Sequence, residues 1–319
     1  MDVLSDILGA VKMRCSLYFW TEFTGTWGVR VPFYANVARF HLVLRGATWA
    51  RVGDDPEPVH LEAGDLIVVP HGAEHTLADA PGTPCLPVDR VVEQSGFTGR
   101  GLLSYGSEDG GTTRMVCGHL EFDESAGHPF LRQLPSRILI RQPDGTSSSR
   151  LEETCRLIAQ EVRDGRPGSD AVLNRLSEVM FIQAVRAWAD AREHERGLMA
   201  ALVCPNLSRG MAAIHERPEQ AWTLAALARE TGLSRTLFAE RFHRQVGMTP
   251  MQYLTFWRMQ RARALLAAGQ LTLDATAGRV GYESTAAFCR VFKKHTGENP
   301  GAFRRRRKPD GEETALHLR

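Results

Sequence analysis

The chain has 319 residues, 43% of them apolar and 24% charged, enough for two domains with separate cores. Its net charge of +2 conceals a polarised chain: residues 205–308 carry 18 Lys and Arg against 7 Asp and Glu, whereas residues 1–204 carry 20 against 27. No apolar run reaches membrane-spanning length, the start MDVLSDILGAVK puts acids where a leader would be basic, and six cysteines lack any CxxC spacing, so the expectation is a cytoplasmic protein with free thiols and no membrane partner.

From about Val29 to Ile140 short β-rich runs alternate with Gly, Pro and Asp: RVPFYANVARFHLVLRG, ATWARVG, GDLIVVPHG, TRMVCGHLEFD and SRILIR. Several short strands at such spacing predict a sandwich or barrel. The stretch GDLIVVPHGAEHTLAD, with Gly64, Pro70, Gly72 and His75, resembles the second cupin motif, and His41 with Gly46 resembles what is left of the first. The resemblance implies a cupin-like jelly-roll barrel acting as a sensor, in an α+β multidomain chain. The first motif lacks its paired His and its acid, which weighs against an oxidative cupin enzyme. His41, His75 and Cys117 are nevertheless candidate effector or metal residues: a jelly roll would bring them to one mouth, and three N/S ligands would suit Zn²⁺. His71, Cys85 and His119 are candidates for a fourth ligand. Against this stands a purely structural set, with His75 serving a turn, His41 a half-buried backbone partner and Cys117 a core residue. A third possibility is a redox-active Cys117. An unidentified small-molecule effector inside the barrel is the leading sensor reading.

QPDGTSSS, residues 142–149, reads as a linker. Two helices are predicted beyond it, broken at Pro167-Gly168. Leu173, Leu176, Met180, Ala184 and Trp188 define an apolar stripe on the second. Either that stripe packs on the barrel or it pairs two chains, and Leu173, Leu176, Met180 and Trp188 are the dimerisation candidates.

The last hundred residues hold two copies of one helical pattern, TLAALARETGLSRTLFAERFHRQVG from Thr223 and TLDATAGRVGYESTAAFCRVFKKHTG from Thr272. In each, a short helix meets a Gly suited to a left-handed stop (Gly232 or Gly281), then a Ser able to cap the next helix (Ser234 or Ser284). The second helix is anchored by Phe238 and Phe242, or Phe288 and Phe292, at i, i+4. This is a helix-turn-helix, whose second helix enters the DNA major groove. The candidate DNA-binding residues are Arg235, Thr236, Ala239, Glu240 and His243 in the first copy, and Thr285, Ala286, Cys289, Arg290, Lys293 and Lys294 in the second. Arg290 leads, because a guanidinium can donate bidentately to guanine O6 and N7, with a phosphate contact as its alternative. Glu240 either accepts from cytosine or pairs with Arg244. The run Arg304–Lys308 either joins the phosphate contacts or is a solvated tail. Between the copies Thr249–Gly269 predicts one long amphipathic helix, a rigid spacer that would let two recognition helices reach groove segments about 34 Å apart.

LSRTLFAERF (233–242), GMTPMQYLTFWRMQRARALL (247–266) and VGYESTAAFCRVFKKHTGENPGAFRR (280–305) together closely resemble the DNA-binding domain of AraC/XylS-type transcriptional regulators. One departure is Thr276, where that family usually has an aliphatic residue; a weaker second module is the possible consequence. The resemblance implies a sensor domain over 1–150, dimerisation helices over 151–200 and a tandem helix-turn-helix domain over 205–308. It implies promoter DNA and a second copy of the chain as partners, with RNA polymerase added if the protein is an activator; activator and repressor remain equally open. The competing functions are a cupin oxygenase or isomerase with an accessory DNA-binding domain, and a DNA-binding protein whose barrel serves only to oligomerise.

Overall fold

The computed structural model describes residues 2–11, 13–99, 101–107, 109–122, 129–141, 150–190 and 197–306. The expected linker at 142–149 and the last two residues of the 304–308 basic run lie outside them. The chain forms two compact units, Met13–Glu124 with Leu134–Glu193, and His194–Arg319 with Met1–Lys12 and Ser125–Gln133. The expected division places both short segments with the sensor.

A first helix, α1 (Val3–Val11), belongs to the helical unit. The β-rich unit follows with β1 (Arg14–Thr24), β2 (Gly28–Val31), β3 (Val37–Arg45), β4 (Ala47–Val52), β5 (Val59–Glu62), β6 (Leu66–Val69), β7 (His75–Ala78) and β8 (Leu86–Pro87). Helix α2 (Val88–Ser95), β9 (Leu102–Gly106) and β10 (Thr112–Glu121) come next, and β11 (Ile138–Ile140) after the short helix α3 (Pro129–Arg132) of the other unit. One sheet has the order β11-β6-β3-β10-β1-β9, the other β5-β4-β7-β2-β8. Among the described residues β1/β9 and β2/β8 pair in parallel and the other ladders are antiparallel.

The expected closed jelly-roll barrel is therefore wrong: these are two open sheets packed face to face. Closure needs a hydrogen-bonded ladder joining the sheets, and the edge strands end it. Strand β8 has two residues, one of them Pro87 without an N–H to donate, and β11 has three. Side chains fill the seam instead, with Val43, Ile67, Val69 and Met115 of the six-stranded sheet meeting Val29, Val31, Val52 and Leu77 of the other.

Strands β3, β6 and most of β10 are buried on both faces, which is why β3 reads as a nearly continuous apolar run. Alternation sends His41 and Val43 to the seam and Ala38, Phe40 and Leu42 to the other side. Helices α4 (Arg150–Asp164) and α5 (Ser169–Asp190) form the third layer, α5 packing on both β1 and β11 and so crossing the strands between them. Phe181 meets Phe122 with ring centroids 5.9 Å apart. Thr154 donates to Gln183 and Ser169 to Glu161, pinning the helices antiparallel. Leu173, Met180 and Ala184 are fully buried in this layer, whereas Leu157, Val172 and Val179 are exposed and Leu176 and Trp188 half-buried.

The helical unit continues with α6 (Leu198–Val203), α7 (Pro205–Glu216), α8 (Leu224–Thr231), α9 (Arg235–Val246), α10 (Pro250–Ala268), α11 (Leu273–Arg279), α12 (Thr285–Thr296) and α13 (Pro300–Arg306). Among the described residues no helix is long and apolar enough to cross a membrane.

Candidate nucleic-acid interface and sensor core

The two helix pairs α8/α9 and α11/α12 are built by the same local devices, the first helices 49 residues apart and the second 50. Thr223 and Thr272 accept from the backbone N–H groups of Ala226 and Ala275, and Ser234 and Ser284 from those of Leu237 and Ala287. Gly232 stops α8 at φ 69°, and Gly281, at φ 80°, follows the Val280 cap of α11. A Cβ on Gly281 would stand 2.5 Å from Arg258 Nη2 and 2.7 Å from the Glu219 carbonyl, so glycine is required by space as well as by torsion. Phe238/Phe242 and Phe288/Phe292 are fully buried, their centroids 5.5 and 5.6 Å apart.

With those rings inward, the opposite surface is fixed. Arg235, Thr236, Glu240 and His243 are exposed and Ala239 half-buried on α9; Ala286, Arg290 and Lys293 are exposed and Cys289 half-buried on α12. Position for position, Arg290 stands where the first module has Glu240, and Lys293 where it has His243. The modules thus present different chemistry from equivalent backbones. Two further candidates have contacts of their own: Thr285 donates to Asp274 at 2.5 Å, and the exposed Lys294, one turn beyond Arg290, also lines a cleft beside α10. The buried Thr276 returns its hydroxyl proton to the Thr272 carbonyl at 2.8 Å, so its polar group is satisfied within the helix.

Helix α10 is more than an amphipathic spacer. Thr249 and Gln252 close a capping box around Pro250, and nineteen residues give a rod of about 28 Å. Tyr253, Leu254, Phe256, Trp257, Met259, Ala262 and Leu266 are all buried, covering more than one face, because both modules pack against it. Arg258 donates from Nε to Pro218 O (2.7 Å) and from Nη2 to Gln220 O (2.8 Å) and lies over the Tyr282 ring. It ties the loop before module one to module two. His215 of α7 donates from Nδ1 to Asp6 of α1 (3.2 Å), accepts at Nε2 from Tyr253 (2.8 Å) and stacks on Trp257 at 3.7 Å.

In the β-rich unit His41, His75 and Cys117 do come together. Cys117 and His41 are register partners on β10 and β3; His75 reaches across from β7 in the other sheet. His75 Nδ1 lies 2.8 Å from the Ala73 carbonyl and must donate to it, leaving Nε2 as an acceptor. His41 Nε2, 2.8 Å away, then carries the donated proton, and His41 Nδ1 accepts from the Cys117 thiol at 3.0 Å. The result is a proton-ordered chain from Cys117 through His41 and His75 to Ala73, every member neutral. Burial sets those states: it holds His41 well below its ordinary pKa, with His75 and Arg39 adding to the effect, lowers His75 to about 4, and pushes the Cys117 thiol up to about 12.

The two ring nitrogens stand closer than a shared tetrahedral ion would hold them. Two nitrogens bound tetrahedrally at 2.0–2.1 Å would stand about 3.3 Å apart, and the ring nitrogens of His41 engage Cys117 and His75 separately. Among the described residues no group of three or more His, Cys, Asp or Glu side chains has metal-holding geometry. The expected fourth ligands have other partners: His71 donates to Leu134 O, His119 to Glu121, and Cys85 to Thr83 O. The protonated, 7% exposed Cys117 thiol also weighs against redox activation.

Comparison with known proteins places both halves. The family model described as cupin matches residues 2–190, and that described as helix-turn-helix domain matches residues 227–306. A putative AraC-like transcription regulator of Streptomyces antibioticus is 30% identical over 315 residues, covering 97% of this chain and all of its own. The chain belongs to the AraC family of transcription regulators. The regulator AlkR of Acinetobacter baylyi is similar at 29% identity over 309 residues, 95% of this chain and 99% of that one. The DNA-binding domain of AdpA, solved with a target DNA, is 32% identical, covers 34% of this chain and 98% of its own, and superposes with a TM-score of 0.31. This AraC-family chain is a DNA-binding regulator with an N-terminal cupin-like domain, and its family sets aside the enzyme reading. Sequence reasoning missed the Arg258 staple and the Asp6–His215–Tyr253 link. Arg258 carried only its spacing within a helix, and Asp6 lies 209 residues from its partner.

Proposed function

We propose that this regulator reads two segments of promoter DNA with α9 and α12, under the control of a small molecule held in the β-rich unit. The observation that carries the reading is the pair of capped helices in fifty-residue register, anchored by phenylalanines and exposing Arg235, Thr236, Ala239, Glu240 and His243 on one and Ala286, Cys289, Arg290 and Lys293 on the other. Arg290 donates to a guanine edge; Arg235 and Lys293 supply phosphate or base contacts, and the basic α13 adds charge. The family relationship supports a cytoplasmic homodimer. With Leu173 and Met180 buried, pairing falls to the outer face of α4/α5, where Leu157, Val172 and Val179 are exposed, with Leu176 and Trp188 at its border. The effector acts by preferring one arrangement of the DNA-bound chain, so it must bind the two states unequally.

Selection from a random duplex pool with the full-length chain tests the reading. The expected product is a site with two separated determinants about one helical turn apart. Recovery of unrelated sequences would overturn it. Light scattering at micromolar concentration, with and without that site, tests the dimer; monomer in both would exclude it.

A further inference from the structure

A cleft of about 850 Å³ lies in the helical unit beside α10 and the C-terminal half of α12. Its apolar wall includes Met251, Phe256 and Met259, and its lining carries the cations of Arg132, Arg263 and Lys294. No Asp or Glu is among its described lining residues. Arg263 is only 7% exposed, with its guanidinium over the Phe303 ring at 5.5 Å, so one of the charges is built into the wall rather than waving in solvent.

The cleft borders the surface turned to DNA. At 100° per residue, Cys289, Lys293 and Ala286 lie on one side of the Phe288/Phe292 core face of α12 and Val291 on the other, with Arg290 opposite that face and Lys294 between Arg290 and Val291. Thioether side chains beside an aromatic ring favour a flat aromatic guest, since sulfur packs well at ring edges. Cations without a lining carboxylate favour a negative charge on that guest.

We propose that this cleft is a ligand site for an aromatic carboxylate, its ring against Met251, Phe256 and Met259 and its carboxylate toward Lys294, Arg132 and Arg263. An occupant touches both the linker helix α10 and the second recognition helix α12. It therefore biases the angle between them, giving the DNA-binding unit an input of its own, independent of the proposed effector in the β-rich unit.

Calorimetric titration of the full-length chain with naphthoate, and in parallel with the neutral naphthamide, tests this. Naphthoate should bind saturably at one site per chain, and naphthamide at least tenfold more weakly. Lys294→Gln and Arg132→Gln, both at exposed positions and with the fold checked by circular dichroism, should each weaken naphthoate about tenfold. Glu57→Gln, at an exposed position of the other unit, should leave its binding unchanged. The proposal is overturned if naphthamide binds equally well, if binding survives both substitutions, or if no saturable binding occurs. Absence of naphthoate binding together with weaker binding of Lys294→Gln to random DNA would make the cleft a phosphate-contact surface instead.

Discussion

Acid should loosen the β-rich unit at the His41–His75 pair. The folded His75 has its pKa lowered to about 4 by burial, while the unfolded chain returns it to the ordinary 6.5. Between those values the unfolded state binds the extra proton, so stability is complete above pH 6.5 and falls as pH drops toward 4. Linkage for this one group gives a loss of about 2 kcal/mol between pH 7 and pH 5, and about 3 kcal/mol by pH 4. His41, lowered in the same direction, adds to it. The perturbation is the pH change, applied to the wild type and to a His41→Leu/His75→Leu variant in which the titrating pair is gone. Urea unfolding followed by the near-ultraviolet signal of the β-rich unit reads the difference. For an m-value of about 2 kcal/mol/M, the wild-type midpoint should fall by at least about 1 M more than that of the variant between pH 7 and pH 5. Equal shifts in both proteins would refute the reasoning. So would nitrogen NMR showing His75 protonated on Nε2, because the whole chain of donors depends on Nδ1 carrying that proton.

Arg290→Ala should cost about 1–3 kcal/mol at one base position of the selected site if it reads guanine; an equal loss on random duplex would reduce it to a phosphate contact. Ser284→Ala removes the acceptor for the Ala287 N–H and should destabilise α12 by about 1 kcal/mol, read as a lower thermal midpoint of the helical unit. Gly281→Val faces both the φ of 80° and the Arg258 guanidinium, so it should cost more than about 2 kcal/mol and weaken DNA binding, whereas Gly269→Asn, in open space at a comparable helix end, should be mild. A comparable thermal midpoint for both glycine variants would count against the close-approach argument.

What could be read from the sequence was local. The caps at Thr223, Ser234, Thr272 and Ser284 and the phenylalanine pairs act within four residues, so the helix-turn-helix units and their exposed faces are legible in the sequence. Lys294 shows the limit of that reading: it follows Lys293 and shares its charge, yet one residue is 100° of helix, enough to turn it onto the lining of the cleft beside α10. Non-local choices were not legible. Whether the strands close into a barrel depends on hydrogen bonds at β8 and β11, strands of two and three residues. The convergence of His41, His75 and Cys117 was anticipated, but whether they hold a metal or one another rests on which ring nitrogen faces which partner. No spacing encodes that. Likewise the stripe of Leu173 and Met180 could serve its own sheet or a second chain, and only their complete burial against the sheet decides which surface is left outside.

The central claim is that one chain reads DNA with two unlike modules held by α10. Its most direct test is a base-by-base affinity scan of the selected site with wild type, Arg290→Ala and Arg235→Ala/Thr236→Ala. The account predicts that the first variant relaxes specificity in one segment only, and the second in the other, with the segments about one turn of DNA apart. Loss of specificity across the same bases in both variants, or no change in either, would contradict it.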